Sequence, residues 1–239
     1  MNEDEWLTGT DFSTHVRYIL DYLSPRRQRL LAVAFCRAVS DLFDHPDLTD
    51  ALDVIDRYAD SRTPDDTMEN ARWRCRAVAQ EAYEAYRASS EHPALDIDMA
   101  ARLRSEFAWA VSFAATRPLP LEMVGTRVLD AAVQAHTGTF ELVPAPTPAT
   151  AVQHLVMRAT VWEVAGNPFR EPHFSPEWRT DTVVSLARQV YDLREFSAMP
   201  ILADALQDAG CDNEELLAHC RGERTHVRGC WVLDLVLEK

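Results

Sequence analysis

The sequence predicts an all-α protein, with an N-terminal helical bundle and a smaller C-terminal helical module. Only seven of the 239 residues are glycine, well below the average share of about 7%. Because sheet-rich proteins use glycine in turns and bulges, this shortage favours helices. Serine or threonine followed by proline, a pair typical of helix starts, occurs at Ser24-Pro25, Thr63-Pro64 and Thr147-Pro148.

The N-terminal half contains successive segments with apolar residues at the three- and four-residue spacing of helices. A short segment opens at Trp6, and Asp11 can cap the next one. The segment after Ser24-Pro25 has a wide apolar arc, which predicts a buried central helix. It should end at His45-Pro46, because the residue before proline resists helical geometry. The other helices predicted in this half cover residues 48–58, 65–88, 96–116 and 121–136.

A proline-rich stretch separates the two parts of the chain. Pro144, Pro146 and Pro148 alternate with other residues, and this pattern favours an extended connector. We therefore predict an N-terminal bundle over residues 1–139, a connector over 140–150 and a C-terminal module over 151–239.

The C-terminal module is predicted to begin with a helix over residues 148–165 and to contain three compact helices after residue 180. The first starts at Asp181, and the second runs from Pro200 to a stop at Gly210. The third follows a D-x-x-E capping box that starts at Asp212. The final apolar run, residues 230–237, fits a helix or a strand.

The chain is acidic, with a formal net charge of −14. Nucleic-acid binding needs a basic face, so this charge argues against a nucleic-acid partner. Two arginine triplets lie within residues 26–29 and 72–76, among acidic residues. We expect these arginines to lie on a solvated or salt-bridged helix face.

The sequence also predicts a protein that is neither secreted nor membrane-bound. No apolar run approaches the roughly 18–20 residues of a membrane span. The first five residues include Glu3, Asp4 and Glu5, whereas a secretory signal starts with basic residues. Five cysteines are an odd number, which favours reduced thiols and a cytoplasmic location.

Common catalytic and cofactor motifs are absent from the sequence. It contains no G-x-G-x-x-G, G-x-x-x-x-G-K-[ST], G-x-S-x-G, H-E-x-x-H or C-x-x-C. No pair of carboxylates is marked as catalytic by its spacing. We therefore predict no catalytic residue and no cofactor, with zinc as the alternative.

The zinc alternative depends on five residues near the C-terminus: Cys211, His219, Cys220, His226 and Cys230. Thiolate and imidazole are preferred zinc ligands, and four of them suffice for a tetrahedral site. The spacing C-x7-H-C-x5-H-x3-C matches no zinc finger known to us. His219 and Cys220 are adjacent, and adjacent residues point about 100° apart on a helix, so only one of them should ligate.

Two other interpretations of this cluster stay open. Cys211 and Cys220 can be small core residues, since free cysteine is among the most buried residue types. A nucleophilic thiol is the third interpretation. Cys220 lies at the end of a predicted helix, where the helix dipole raises a thiol pKa, and Cys230 follows Arg228 and His226.

The segment over residues 166–180 is rich in proline and aromatic residues. It is either an ordered loop held in place by its rings or a binding loop. As a binding loop it would use Asn167, Phe169, Arg170, His173 and Trp178.

Longer motifs extend over nearly the whole chain. They include Glu5-Trp6-Leu7, the stretch 27–37, GNPFR at 166–170, PILADALQDAGC at 200–211, AHCR at 218–221 and HVRGCWVLD at 226–234. In these motifs the chain resembles a family of bacterial proteins that occur as many paralogues in large GC-rich genomes. The chain departs from that family at Phe35-Cys36, where the family has paired cysteines. The family has no assigned activity, so the resemblance implies a cytoplasmic origin and no mechanism.

These observations favour a non-catalytic helical module that binds another protein. The reasons are the missing cofactor loops, the missing catalytic motifs and the high acidity. The first alternative is a zinc-stabilised regulatory domain that uses the C-terminal Cys/His cluster. The second alternative is an enzyme of a type that these motifs do not reveal.

Overall fold

The computed structural model describes residues 1–9, 11–91, 98–137 and 148–239. Within these ranges the secondary structure consists of α-helices and three short 3₁₀ helices, without a strand. The all-α prediction is confirmed. Most of the predicted proline-rich connector, up to residue 147, lies outside the described residues.

The chain divides into two compact units, which we describe separately. The bundle unit comprises Thr8–Ala159, and the C-terminal unit comprises Thr160–Lys239 together with Met1–Leu7. The two boundaries fall inside helices, one at the last residue of α1 (Glu3–Thr8) and one within α8 (Pro148–Ala165), so the start of the chain is grouped with the C-terminal residues.

The bundle unit is built around a buried third helix. In chain order the first eight helices are α1 (Glu3–Thr8), α2 (Phe12–Ile19), α3 (Pro25–Arg37), α4 (Pro46–Ala59), α5 (Asp65–Ser90), α6 (Met99–Ala114), α7 (Leu121–Thr137) and α8 (Pro148–Ala165). Ser24 caps α3 by accepting a hydrogen bond from the Arg27 amide at 3.3 Å, as its position before proline predicts. Leu31 and Phe35 of α3 are fully buried.

Two helix boundaries in the bundle differ from the prediction. The helix after Ser24 ends at Arg37, and a separate 3₁₀ turn over Ser40–Leu42 follows it. The next helix starts at Pro46, since proline is well suited to the first helical position. Val39 and Phe43, on either side of the 3₁₀ turn, are buried like the apolar residues of the helix before them. The apolar spacing in the sequence therefore continues past Arg37, although the helix ends there.

The C-terminal unit has its own apolar core. Its helices are α9 (Asp181–Leu193), α10 (Met199–Asp208), α11 (Glu214–Arg221) and α12 (Trp231–Leu237). Tyr191, Leu202, Leu216 and Leu233 are fully buried in this core. The ambiguous final run is therefore a helix, and its apolar residues pack against α9 and α11.

The cap of α11 differs from the predicted one by one residue. The Asn213 side chain accepts hydrogen bonds from the amides of Glu215 at 3.0 Å and Leu216 at 3.2 Å. The predicted D-x-x-E box, which begins at Asp212, does not form this cap. Asparagine and aspartate are equally good caps, so the residue types alone leave two candidates.

None of the helices in the described ranges combines the length and apolar character that crossing a bilayer requires.

Candidate metal centre

Four buried side chains of the C-terminal unit converge on one point. Glu163 lies in the last turn of α8, His219 on α11, His226 in the following loop and Cys230 at the N-cap of α12. None of the four is more than 7% exposed. One potential ligand atom from each lies within 4.8 Å of those of the others.

The carboxylate of Glu163 joins the two histidines. Its Oε1 lies 2.8 Å from Nδ1 of His226, and its Oε2 lies 3.3 Å from Nε2 of His219. The same Nε2 lies 3.2 Å from Sγ of Cys230. The arrangement brings together carboxylate, imidazole and thiol, the three ligand types that proteins offer to zinc.

A glycine turn places Cys230 beside the histidines. Gly229 has φ +87°, a left-handed conformation that favours glycine. The Cys230 amide then donates to the Val227 carbonyl at 3.0 Å. This tight turn brings Cys230 to the start of α12, facing the end of α11.

His219 is held from its other side by two donors. Nδ1 accepts a hydrogen bond from the Trp231 indole nitrogen at 3.0 Å, and Nη1 of Arg224 lies 3.3 Å from it. The Trp231 ring stands at 66° to the imidazole, with the ring centroids 5.0 Å apart. Because an indole N–H can only donate, the proton of the neutral imidazole is on Nε2, facing Glu163 and Cys230.

The surroundings shift the pKa values of Glu163, His219 and Cys230. Burial raises the pKa of the Glu163 carboxyl, but hydrogen bonds from His219 and His226 and their charges outweigh it and lower the pKa to about 2. The pKa of His219 is lowered, mainly by burial and also by the charges of Arg224 and His226, against the opposing effect of Glu163. Burial and the nearby Glu163 charge raise the pKa of Cys230 well above that of a free thiol. Without a metal the cluster therefore holds one carboxylate, neutral His219 and a protonated Cys230 thiol.

One polar atom of the cluster has no partner. Nε2 of His226 is buried and has no hydrogen bond within the described part of the chain. Of the two ring nitrogens of His226, Nδ1 is therefore paired with Glu163, and Nε2 has no hydrogen-bond partner within the described residues. Buried polar groups are nearly always satisfied, so an orphan at this position needs an explanation.

The structure brings together three of the five residues predicted from the sequence, His219, His226 and Cys230. Cys211 and Cys220 lie instead in the apolar core of the unit and are not part of the converging group. Burial raises the pKa of both thiols, that of Cys220 to about 12. Such protonated, buried cysteines are packing groups and poor nucleophiles.

Sequence reasoning missed Glu163, which is far from the other three in the chain. Its signal is present all the same. Glu163 is the only carboxylate in the α8 sequence, and Trp162 and Val164 flank it. A single acidic residue within an apolar stretch of a helix is a candidate for a buried, paired charge.

The predicted binding loop is held by internal contacts near its start. Nδ2 of Asn167 donates to Oε1 of Glu3 at 2.7 Å, and Nε of Arg170 lies 2.5 Å from the same oxygen. Oδ1 of Asn167 accepts a hydrogen bond from the Phe169 amide at 3.0 Å. Glu3 thereby ties the loop to the first helix.

Contacts within the unit hold the second half of the loop as well. The His173 carbonyl accepts a hydrogen bond from Nδ2 of Asn213 at 2.9 Å. The His173 and Phe174 rings pack edge-on against Trp178, which is buried. These contacts support the interpretation of an ordered loop held by its rings.

Comparison of the chain with protein-family models, curated proteins and solved structures finds no match.

Proposed function

We propose that the C-terminal unit is a zinc-stabilised module in which Glu163, His219, His226 and Cys230 hold one Zn²⁺ ion. The observation that carries this proposal is the convergence of four ligand atoms within 4.8 Å in a buried site. Tetrahedral zinc, with bonds of about 2.0–2.3 Å, keeps its ligand atoms roughly 3.3–3.8 Å apart. Side-chain adjustments of about 1 Å bring the four atoms to these distances.

The charges of the ligands balance those of the ion. A carboxylate at Glu163 and a thiolate at Cys230 together neutralise a divalent cation, and the two imidazoles bind as neutral rings. The buried site then has no net charge, which removes the cost of an isolated buried carboxylate. The ion also replaces the Cys230 proton, whose retention in the metal-free site follows from burial and from Glu163.

The number and burial of the ligands favour a stabilising role for the ion over a catalytic one. Catalytic zinc sites keep one position open for water or substrate, and structural sites have four protein ligands. Here four protein side chains are available, and none is exposed. Zinc would connect the end of α8, helix α11, the following loop and the start of α12.

Metal content and the response to chelation test the proposal. Protein purified without added metal should contain close to one zinc per chain by elemental analysis. A chelator should lower its melting temperature. Zinc binds these ligands only when the folded chain holds them together, so its binding free energy adds to the free energy of unfolding. Added Co²⁺ should give the absorption bands of a tetrahedral thiolate complex. A protein that neither contains zinc nor binds Zn²⁺ or Co²⁺ would refute the proposal.

Cys230 and Cys220 provide a matched pair of variants. Both thiols are fully buried, and both were candidate ligands in the zinc alternative drawn from the sequence, but only Cys230 belongs to the converging group. Cys230→Ala should lose the metal, whereas Cys220→Ala should keep it and lose about 1 kcal/mol as a small core truncation. Glu163→Gln should weaken zinc binding without changing side-chain volume. Retention of full zinc affinity in Cys230→Ala would contradict the assigned ligand set.

The protein-binding function favoured by the sequence stays a prediction, as does the alternative of an unrecognised enzyme. A zinc-stabilised module is compatible with binding a protein partner, because the ion would stabilise the fold and leave the surface free.

A further inference from the structure

A second site lies in the bundle unit, in a cavity of about 680 Å³. Its wall combines the start of α3, the end of α4, the loop before α5 and the segment after α6. The polar groups that matter are Arg29, Tyr58, Ser61, Thr63 and Arg117. We call this cavity the arginine pocket.

Arg29 is a buried cation without an acidic partner. Its side chain is 8% exposed. Nη1 donates to the Ala114 carbonyl at 2.5 Å and Nη2 to the Thr116 carbonyl at 3.2 Å. No carboxylate contacts it within the described residues, unlike Arg26, which pairs with Asp60 at 2.8 Å. The expectation of a solvated or salt-bridged helix face is therefore wrong for Arg29, which is buried and has no acidic partner within the described residues.

A second arginine faces the same tyrosine ring. The guanidinium carbon of Arg117 lies 4.7 Å from the centroid of the Tyr58 ring, and that of Arg29 lies 5.5 Å from it. The two like charges therefore share one wall of the pocket. Burial, and to a smaller extent the charge of Arg117, lowers the pKa of Arg29.

One exposed carboxylate is close to this pair of cations. Asp65 lies 3.0 Å from Arg117 and accepts a hydrogen bond from the Tyr58 hydroxyl at 2.7 Å. Both members of the Arg117–Asp65 pair are mostly exposed, at 61% and 80%, and exposed pairs contribute little binding energy. The Arg117–Asp65 pair does not include Arg29, so the charge of Arg29 has no acidic partner within the described residues.

We propose that the arginine pocket binds a small organic phosphate monoester. The guanidinium of Arg117 can form forked hydrogen bonds to a phosphate. Arg29 already donates one N–H from each terminal nitrogen to the Ala114 and Thr116 carbonyls, so its remaining N–H groups and the hydroxyls of Ser61 and Thr63 can add further donors. A bound dianion relieves the repulsion between Arg29 and Arg117. The cavity is much larger than a phosphate group, so it has room for an organic part beside the Tyr58 ring.

The excess of cations in this pocket contrasts with the rest of the chain. The formal net charge of the protein is −14, so its general field repels anions. The pocket lining contains three arginines, Arg26, Arg29 and Arg117, and one carboxylate, Asp65. Arg26 is paired with Asp60, so Arg29 and Arg117 still give the pocket a local excess of positive charge. An alternative role for Arg29 is to satisfy carbonyls at the end of α6, and that role alone would give no anion binding.

Calorimetric titration with inorganic phosphate and with phenyl phosphate tests the proposal, at an ionic strength held constant with sodium chloride. Phenyl phosphate should bind saturably and at least tenfold more tightly than inorganic phosphate. Arg29→Met should abolish binding, and Arg117→Gln should weaken it about tenfold. Arg87→Gln is the control, because Arg87 is an exposed arginine of α5 that pairs with Glu91 outside the pocket.

Arg117→Gln keeps the test valid if Arg29→Met fails to fold, since Arg117 is exposed and its ion pair is weak. Absence of saturable binding by both probes would overturn the proposal. So would an unchanged affinity in Arg117→Gln, or an equal loss in Arg87→Gln, because binding would then reflect charge in general. None of these measurements depends on zinc, so their failure is separate from failure of the metal site.

Discussion

Trp231 donates its indole N–H to Nδ1 of His219 at 3.0 Å, and this bond determines which nitrogen of His219 faces the metal site. The donor places the imidazole proton on Nε2, which points at Glu163 and Cys230. Zinc binding at Nε2 must move that proton to Nδ1 or release it. A protonated Nδ1 would face two donors, Trp231 and Arg224. Trp231 therefore stabilises the metal-free cluster and opposes metal loading.

Replacing Trp231 should tighten zinc binding. In Trp231→Phe the ring is kept but the competing donor is lost. A hydrogen bond of about 1–1.5 kcal/mol then no longer favours the metal-free state, so zinc affinity should rise about tenfold. Competition with a chromophoric chelator measures this change. Trp178→Phe is the control, since Trp178 is buried among His173 and Phe174. A weaker affinity in Trp231→Phe would show that the indole supports the site by packing alone.

All five cysteines should be free and slow to react in the native protein. None is disulfide-bonded, and all five are buried. Burial raises the pKa values of Cys75 and Cys220 to about 12, so almost no thiolate is present at pH 8. Ellman's reagent should therefore report five thiols in guanidinium and almost none on mixing with the folded protein. Fewer than five in guanidinium would contradict the prediction of reduced thiols.

The sequence could predict the fold better than the site. Helix starts followed from local chemistry, such as the cap at Asp11 and the Ser24-Pro25 pair, whose structural consequences lie within a few residues. The break after Arg37 could not be predicted, because Val39 and Phe43 continue the apolar spacing and are buried in a different local geometry.

Most of the candidate site followed from residues that are close in the chain. His219, His226 and Cys230 fall within 12 positions, so composition alone drew attention to them. Glu163 is brought to them by packing of α8, which no local pattern records. The choice between His219 and Cys220 also depended on tertiary structure, because these adjacent residues point to different sides of α11 and only the side of His219 faces Glu163.

Asp212 and Asn213 are equally suitable N-cap residues by type, but Asn213 is the one that caps α11. Asn213→Ala should destabilise the C-terminal unit by about 1 kcal/mol or more, because it removes the cap and the hydrogen bond to the His173 carbonyl. Asp212→Ala should change stability by less than about 0.5 kcal/mol, as expected of a residue outside the cap. Urea denaturation of both variants measures the difference. Equal losses of stability in the two variants would show that Asp212, the first residue of the predicted capping box, contributes to the cap as much as Asn213.

Two glycines with positive φ should differ in their tolerance of a side chain. Gly166 and Gly210 have φ values of +68° and +88°, so alanine strains the backbone by roughly 1 kcal/mol at either position. A Cβ at Gly210 would meet no atom within 4 Å, whereas one at Gly166 would lie 3.2 Å from Cγ of Trp231.

Gly166→Ala should therefore cost about 1 kcal/mol more than Gly210→Ala, because it adds crowding against a buried ring to the same backbone strain. Gly166 follows Glu163 by three residues and Trp231 contacts His219, so the crowding acts on both sides of the metal centre. Urea denaturation of chelator-treated protein measures the two costs without a contribution from bound metal. Equal destabilisation by the two substitutions would show that Trp231 moves aside freely, and that the indole is not held against the end of α8.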